Sequence, residues 1–205
     1  MAELILIRHG KTAGNLLGRY IGSRTDEPLC DEGREGLAGK QLPEVERLYV
    51  SPMKRCVETA ELLWPEFDRK NIQKVTDLRE CDFGDFENKN YKELSGNGDY
   101  QAWIDSNGTL PFPNGESMDL FKSRCREAFA QIAEEVSGAE QEWKASGETG
   151  IFRAGIVVHG GTIMAILEQY GYPKRAYFDY QVKNGCGYRL TPVEGTRLWN
   201  CLCLQ

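Results

Sequence analysis

Short runs of consecutive apolar residues alternate along the chain with segments whose apolar residues recur at helical spacing. The runs at 4–7 and 155–158 are typical of strands buried on both faces of a parallel sheet. Further strands are predicted at 47–50, 72–78, 185–191 and 196–204, the last two near the sheet edge. This alternation of strands with helical segments predicts an α/β fold.

Helical spacing and capping residues locate the predicted helices. Asp31 is a plausible N-cap for a helix to about residue 42, and Ser51 with Pro52 has the pattern of an N-cap followed by the first helical position. An amphipathic stripe predicts a long helix over 117–136, and the polar stretch 137–150 is predicted to be a surface connection. Another helix is expected after residue 161.

Residues 81–115 depart from this alternation, because they are rich in Gly, Asn and Asp with aromatic residues interspersed. Long irregular segments in compact domains are often functional, so we interpret this stretch as an inserted lid. The whole prediction is a three-layer α/β/α sandwich with a mostly parallel mixed sheet, forming a single domain over 1–205 with the lid at 81–115.

Composition narrows the classes of function. The formal net charge of −6 argues against nucleic-acid partners and against an anionic membrane surface. Seven cysteines without a C-x-x-C pair favour reduced thiols in a reducing compartment. No secretory signal or membrane-length apolar stretch is seen, so the expected location is the cytoplasm. The oligomeric state stays open, with a homodimer as one possibility.

The two histidines of the chain have matching contexts. His9 and His159 each follow a hydrophobic strand and precede a glycine, Gly10 or Gly160. Ligands of open α/β sheets bind at the carboxyl ends of the strands, where both histidines are expected to lie. The alternative is a pair of core histidines. The glycines favour a ligand site, because they let backbone N–H groups approach a ligand closely.

Other polar residues are placed to join such a site. Arg8 adjoins His9, and Arg55 lies near a helix N-terminus, a position that gives an arginine no stabilisation unless an anion is present. Thr12, Asn15 and Glu80 are further candidates at the same sheet edge. Taken singly, these residues are more often a solvated arginine, turn formers and a surface carboxylate.

Five sequence blocks together resemble the histidine phosphatase superfamily, and within it the phosphoglycerate-mutase-like branch that includes α-ribazole phosphatase-type enzymes. The blocks are Leu-Ile-Arg-His-Gly-Lys-Thr-x-x-Asn (6–15), Ser-Pro-x-x-Arg-x-x-x-Thr-Ala (51–60), Leu-x-Glu-x-x-Phe-Gly-x-Phe-Glu (78–87), Pro-Asn-Gly-Glu-Ser (113–117) and Val-Val-His-Gly-Gly-Thr (157–162). Their number and order make the resemblance specific, whereas Arg-His-Gly alone would be weak.

The resemblance implies a phosphomonoesterase that acts on a small-molecule phosphate monoester without a metal or other cofactor. His9 would be the nucleophile that forms a phosphohistidine, and Glu80 would be the general acid and then the base. The phosphoryl group would be bound by Arg8, Arg55, His159, Asn15 and the Gly160 backbone, with Thr12 close to it.

Departures from the family pattern and two rival functions remain open. Lys11 replaces the more usual glutamate, and we hypothesise that it adds positive charge near an acidic substrate. Residues 86–88 read Phe-Glu-Asn where Trp-Glu-Gly is common. A phosphoglycerate mutase is one rival, although residues 88–112 contain only Lys89 and Lys92 as basic side chains. A phosphate-binding module that has lost activity is the other.

Overall fold

The computed structural model describes residues 2–205, and within that range seven strands form one mixed sheet. In chain order the strands are β1 (Glu3–Arg8), β2 (Arg47–Val50), β3 (Gln73–Lys74), β4 (Arg153–Val158), β5 (Gly171–Tyr172), β6 (Gly187–Pro192) and β7 (Trp199–Leu204). Their order across the sheet is β3-β2-β4-β1-β6-β7-β5. Only β6 runs antiparallel to its neighbours among these strands, so the predicted mostly parallel mixed sheet is confirmed.

Helices cover both faces of this sheet. They are α1 (Ala13–Leu16), α2 (Asp31–Glu35), α3 (Lys54–Leu63), α4 (Gly98–Asp105), α5 (Met118–Ala145) and α6 (Gly160–Tyr170). Alternate residues of β1 point to opposite faces, as the pleat requires. Leu4 and Leu6 pack with α5 and α6, whereas Ile5 and Ile7 pack with α3. The predicted α/β sandwich is therefore confirmed, with an apolar core on each side of the sheet.

Two strand predictions need correction. The strand expected at 72–78 pairs with β2 only over Gln73–Lys74, and a 3-10 turn at Thr76–Leu78 follows. Leu78 is fully buried in that turn, after which the chain leaves β3 and leads to Glu80. The second correction concerns β6, which lies inside the sheet between β1 and β7 rather than near its edge.

Three helix predictions also need correction. The helix predicted over 31–42 ends at Glu35, because glycines weaken the following turns and Gly39 adopts φ +75°. Its N-cap is Cys30 rather than Asp31. The helix expected to begin at Pro52, with Ser51 as its N-cap, begins at Lys54 with Met53 as its N-cap, which leaves the Ser51 side chain free for another contact.

The long helix begins as predicted but ends later. Ser117 is its N-cap and accepts a hydrogen bond from the backbone N–H of Leu120, 3.3 Å away. The stretch predicted as a surface connection continues the helix to Ala145. Ala139 and Trp143 extend the buried stripe, and the Trp143 ring lies 5.8 Å from the Phe152 ring. This apolar contact explains why the helix persists through a largely polar sequence.

Residues 81–115 contain α4, a 3-10 turn at Gly84–Phe86 and loops. The aromatic side chains of this stretch pack on one another, and fully buried Phe86 contacts the rings of Tyr100, Trp103 and Phe112. The assignment of one domain with a lid stays a prediction. No helix within residues 2–205 is long and apolar enough to cross a membrane.

Candidate active site

The two histidines lie side by side at the carboxyl edge of the sheet. β1 and β4 are parallel neighbours whose last paired residues are Arg8 and Val158, so His9 and His159 follow at the same level. Their ring centroids are 5.2 Å apart with planes at 65°. Both rings are buried. The predicted convergence of two residues 150 positions apart along the chain is thus present in the structure.

The ring of His9 has one nitrogen engaged by the backbone. Its Nδ1 lies 2.7 Å from the carbonyl oxygen of Gly10, which can only accept a hydrogen bond. Nδ1 therefore carries the proton and Nε2 keeps its lone pair. Burial, reinforced by the charges of Arg55 and Arg8, holds the pKa of His9 well below its usual value. The neutral ring is the form that can act as a nucleophile.

His159 is held on both sides by side chains. The Nε–H of Arg55 donates to Nδ1 of His159 at 3.3 Å, and Nε2 of His159 lies 2.7 Å from the hydroxyl of Ser51. Because an arginine can only donate, Nδ1 is the acceptor and Nε2 carries the proton that is donated to Ser51. Burial and then Arg55 lower the pKa of His159.

Arg55 is fully buried, so its interpretation as a solvated surface arginine is wrong. Its terminal nitrogens donate to the carbonyls of Thr25 and Gly22 at 2.8 and 3.0 Å. The carboxylate of Glu87 fixes that loop by accepting from the backbone N–H groups of Gly22, Arg24 and Thr25. The guanidinium is thus fixed in position by backbone that Glu87 organises.

Arg8 supplies a second, partly buried cation with an unused donor. One terminal nitrogen donates to the carbonyl of Val182 at 2.8 Å, whereas its Nε has no partner among residues 2–205. A Cβ on Gly160 would lie 3.3 Å from the guanidinium carbon, so the helix backbone approaches closely at this point. An unpaired buried donor at a helix N-terminus fits an anionic ligand.

Glu80 lies at the same edge of the sheet and is 8 % exposed. Its carboxylate oxygens accept from the backbone N–H groups of Cys81 at 3.0 Å and Gly161 at 3.2 Å. Burial raises the pKa of Glu80, although these N–H groups and the nearby arginines act in the opposite direction. A carboxyl group with a raised pKa can hold a proton for donation.

Asn15 and Thr12 differ in their relation to the site. Asn15 lines the cavity beside His9. Thr12 is fully buried, and its hydroxyl accepts from the backbone N–H of Asn15 at 3.2 Å as the N-cap of α1. Thr12 therefore supports the segment that bears Asn15, and it does not line the cavity; its predicted role close to the phosphate stays a prediction.

Lys11 lies away from the cavity, contrary to the hypothesis that it adds charge near the substrate. Its ammonium forms an ion pair with Glu32 at the surface. It borders a separate depression together with Glu35 and Leu37. The backbone carbonyl of Lys11 accepts a hydrogen bond from the N–H of Cys30 at 3.1 Å, which places Lys11 beside the start of α2.

A cavity of about 330 Å³ has polar residues at one end, although fully buried Arg55 and His159 do not line it. Arg8, His9, Asn15, Glu80 and Gly160 line that end. The remainder is mostly apolar and is lined by Tyr20, Ile21, Phe83, Trp103, Phe112, Met118, Phe121, Met164, Tyr177 and Phe178. Among residues 2–205 no three His, Cys, Asp or Glu side chains are grouped to hold a metal ion.

Three supporting residues were not identified from the sequence. Ser51 and Thr59 fall inside the block at 51–60, and Thr59 accepts a hydrogen bond from the backbone N–H of Gly10 at 2.9 Å. Asn184 donates to the backbone carbonyl of His9 at 3.1 Å and to the side-chain oxygen of Asn15 at 3.2 Å. No sequence motif indicates a role for Asn184, whereas the block at 51–60 could have indicated roles for Ser51 and Thr59.

The mixed sheet, with two adjacent histidines at its carboxyl edge, defines an α/β protein with a candidate active site at that edge. The chain belongs to the histidine phosphatase superfamily (branch 1), whose family model matches residues 4–203. The resemblance inferred from the five sequence blocks is thereby confirmed.

Similar proteins include both mutase-like and phosphatase members. Phosphoglycerate mutase-like protein 4 of Arabidopsis thaliana is 30% identical over 178 residues, which cover 82% of this chain and 70% of that protein. The metal-independent phosphoserine phosphatase of the same plant is 30% identical over 174 residues, covering 81% and 67%. The structure of the α-ribazole phosphatase from Shigella flexneri has a TM-score of 0.77 at 24% identity, covering 98% and 95%.

Proposed function

We propose that this protein is a phosphomonoesterase that hydrolyses a small phosphorylated metabolite through a phosphohistidine on His9. The observation that carries the proposal is the Nδ1 contact of His9 with the Gly10 carbonyl, which leaves Nε2 as a free nucleophile. Fully buried Arg55, partly buried Arg8 and the carboxyl group of Glu80 provide the other groups that the reaction needs.

In the first step, Nε2 of His9 attacks the phosphorus atom in line with the ester oxygen. The P–N bond forms as the P–O bond to the leaving group breaks, and protonated Glu80 donates its proton to the departing oxygen. Arg8 and Arg55 offset the phosphoryl charge, and His159 is held beside the reacting ring by Arg55. The products of this step are the free alcohol and phosphohistidine.

In the second step, the Glu80 carboxylate accepts a proton from water as that water attacks the phosphohistidine. The P–N bond breaks, inorganic phosphate leaves, and both His9 and protonated Glu80 are restored. Water and the leaving oxygen occupy the same side of phosphorus in turn, so one carboxyl group serves both steps. The paired N–H donors from Cys81 and Gly161 keep that carboxyl group in one orientation.

Hydrolysis is favoured over phosphoglycerate isomerisation by the charges that line the cavity. A phosphoglycerate needs a second cation for its carboxylate, and the outer part of the cavity offers only Arg19, which is paired with Glu93 at 2.9 Å. Lys89 donates to the carbonyl of Asp85 and Lys92 lies over the Tyr91 ring. An inactive binding module is disfavoured by the intact set of reactive groups.

The test is a panel of phosphate monoesters assayed with EDTA present, comparing the wild type with His9→Ala. We expect the wild type to release phosphate and to yield an acid-labile phosphoenzyme after rapid quenching, whereas His9→Ala yields neither. Activity that survives the substitution, or that disappears with the chelator, contradicts the mechanism. Conversion of 3-phosphoglycerate to 2-phosphoglycerate faster than phosphate release identifies a mutase, and no turnover of any ester identifies a binding module.

The proposal includes a cytoplasmic location and small-molecule partners rather than nucleic acids or membranes. All seven cysteines are free thiols, which is the usual state in a reducing compartment. Fractionation of the native cells, with activity followed in each fraction, tests the location. A homodimer is compatible with this function, and sedimentation of the purified protein decides it.

A further inference from the structure

The segment that carries Glu80 has little regular structure of its own. It follows the 3-10 turn at Thr76–Leu78, and Arg79 is already extended with φ −61° and ψ 156°. A general acid must hold its carboxyl group in place to within a fraction of an ångström. Backbone carbonyls in such a segment need partners from elsewhere in the fold, because buried polar groups are costly when left unpaired.

Arg124 of α5 provides those partners. One terminal nitrogen donates to the carbonyls of Asp77 and Arg79, both at 2.8 Å, and the other donates to the carbonyl of Glu80 itself at 3.0 Å. A single planar guanidinium therefore binds three carbonyls of the segment that presents Glu80. Its rigid fork of donors suits this task, whereas a lysine ammonium lacks that geometry.

Glu116 holds this guanidinium by a two-pronged ion pair. Nε of Arg124 lies 2.7 Å from Oε1, and a terminal nitrogen lies 2.7 Å from Oε2. The two side chains are only 12% and 13% exposed. The backbone N–H of Glu116 also donates a hydrogen bond to the carbonyl of Asp82 at 2.9 Å. Arg124 and Glu116 thus contact the chain on both sides of Glu80.

We propose that Arg124 and Glu116 form a clamp that positions the carboxyl group of Glu80 for proton transfer. The clamp is defined by these two residues, and both are positioning residues rather than groups that touch the substrate. The inference rests on the proposed function, because it assigns the clamp a role through Glu80. It also explains the glutamate of the Pro-Asn-Gly-Glu-Ser block, which the reaction itself does not use.

The experiment compares two leaving groups. An alkyl phosphate such as glycerol 3-phosphate expels a strongly basic alkoxide and needs the acid, whereas p-nitrophenyl phosphate expels a weakly basic phenolate and does not. We would measure single-turnover release of each alcohol from wild type, Glu80→Gln, Arg124→Gln and Glu116→Gln. Arg126→Gln is the matched control, because Arg126 lies on the same helix and pairs with Glu168 at 2.7 Å.

We expect Glu80→Gln and both clamp variants to lose alkyl phosphate turnover by about 100-fold or more, the usual contribution of a general acid at its lower end. The p-nitrophenolate burst should change by less than about fivefold, because that step needs no proton. Arg126→Gln should show neither loss. The double variant Arg124→Gln/Glu80→Gln should be no slower than Glu80→Gln alone, because the two residues act as one unit.

Four results would overturn the clamp. Equal loss with both leaving groups in the clamp variants indicates a general structural role, and so does a loss in Arg126→Gln of the same size. A third result is a Glu116→Gln variant that is folded, as its melting temperature shows, and that turns over the alkyl phosphate at the wild-type rate. That result contradicts the clamp even if Arg124→Gln does not fold. If Glu80→Gln itself shows no leaving-group selectivity, the role of Glu80 fails, and the clamp fails with it.

Discussion

The Nε2 atom of His159 lies 2.7 Å from the hydroxyl oxygen of Ser51, although 108 residues separate them in the sequence. Ser51 directly follows β2 and is fully buried. With Arg55 donating to the other ring nitrogen, this contact fixes both the orientation and the tautomer of His159. The pair therefore determines which face of the ring meets His9.

Replacing Ser51 with alanine should free one side of the His159 ring. We expect kcat to fall about 10-fold, equivalent to about 1.4 kcal/mol of transition-state stabilisation, with KM nearly unchanged. Steady-state assays with a good substrate measure the effect. Ser123→Ala is the control, because Ser123 is an exposed serine that contacts only Glu127 on the same helix. A wild-type kcat in Ser51→Ala would show that the hydroxyl does not orient the ring.

Gly161 leaves no room for a side chain beside Glu80, the proposed general acid. A Cβ at this position would lie 2.5 Å from Oε1 of Glu80. Gly161→Ala should therefore displace the carboxyl group and lower kcat for alkyl phosphates by about 100-fold. Gly138→Ala is the matched control, because its Cβ would meet nothing within 4 Å and alanine is favoured over glycine in a helix by about 1 kcal/mol. Equal activity of the two variants would contradict the proposed placement of Glu80.

β1 and the long helix α5 show where sequence patterns carried the fold prediction and where they failed. β1 was predictable because four apolar residues in succession require burial on both faces. The last turns of α5 were missed because only Ala139 and Trp143 join the buried stripe there. The Trp143 ring packs against Phe152, which belongs to a later segment. Patterns within one element cannot reveal a contact that a different element supplies.

The same limit applies to the site. His9, Glu80 and His159 could be placed because each follows a strand or a motif that fixes its position. Asn184 could not, since its contacts with His9 and Asn15 depend on how a distant loop folds back. Asn88 is an instructive departure, because it stands where glycine is common and yet adopts φ 56°. Asparagine tolerates the left-handed region, so the turn survives the substitution.

The raised pKa of Glu80 predicts a decline in activity on the alkaline side. The protonated carboxyl group is the donor, so kcat/KM for an alkyl phosphate should fall as pH rises through the pKa of Glu80, which burial holds above its ordinary value. The pKa of His9 is lowered, so its neutral form persists at acidic pH and no acidic limb is expected near the usual value for histidine.

Profiles of kcat/KM against pH for wild type and Glu80→Gln measure this effect. Ionisation of the substrate phosphate affects both proteins equally, so their ratio isolates Glu80. We expect the ratio of wild type to variant to decrease with rising pH. A ratio that stays constant across the range would exclude Glu80 as the proton donor.

Lys11 offers a test of local charge. Its ammonium pairs with Glu32 at the surface, and it does not line the cavity. Lys11→Glu introduces the residue that is usual in the family. This variant should change kcat and KM by less than about twofold, because exposed charges are screened by water and salt. Arg8→Gln, measured in parallel, should reduce kcat/KM strongly. A rise in KM for Lys11→Glu that shrinks with added salt would restore the charge hypothesis.

The apolar part of the cavity predicts a preference for esters with an uncharged, ring-bearing alcohol. Aromatic and Met side chains line it, and Arg19 is the one cation there but is already paired with Glu93. Burying a ring of this size contributes about 1.5–3 kcal/mol. Thus kcat/KM for 2-phenylethyl phosphate should exceed that for glycerol 3-phosphate by roughly 10–100-fold. Both substrates are alkyl esters that require the acid, so the comparison isolates the ring.

Phe178 allows this preference to be tested without disturbing the core. It is 67% exposed and lies at the cavity edge, so Phe178→Ala should reduce the advantage of 2-phenylethyl phosphate while leaving glycerol 3-phosphate unchanged. Leu202→Ala, an apolar residue on β7 that is 61% exposed, should alter neither. Faster turnover of phosphoserine or 3-phosphoglycerate than of 2-phenylethyl phosphate would contradict the inference. Those substrates carry a carboxylate, and the outer part of the cavity has no unpaired cation to bind it.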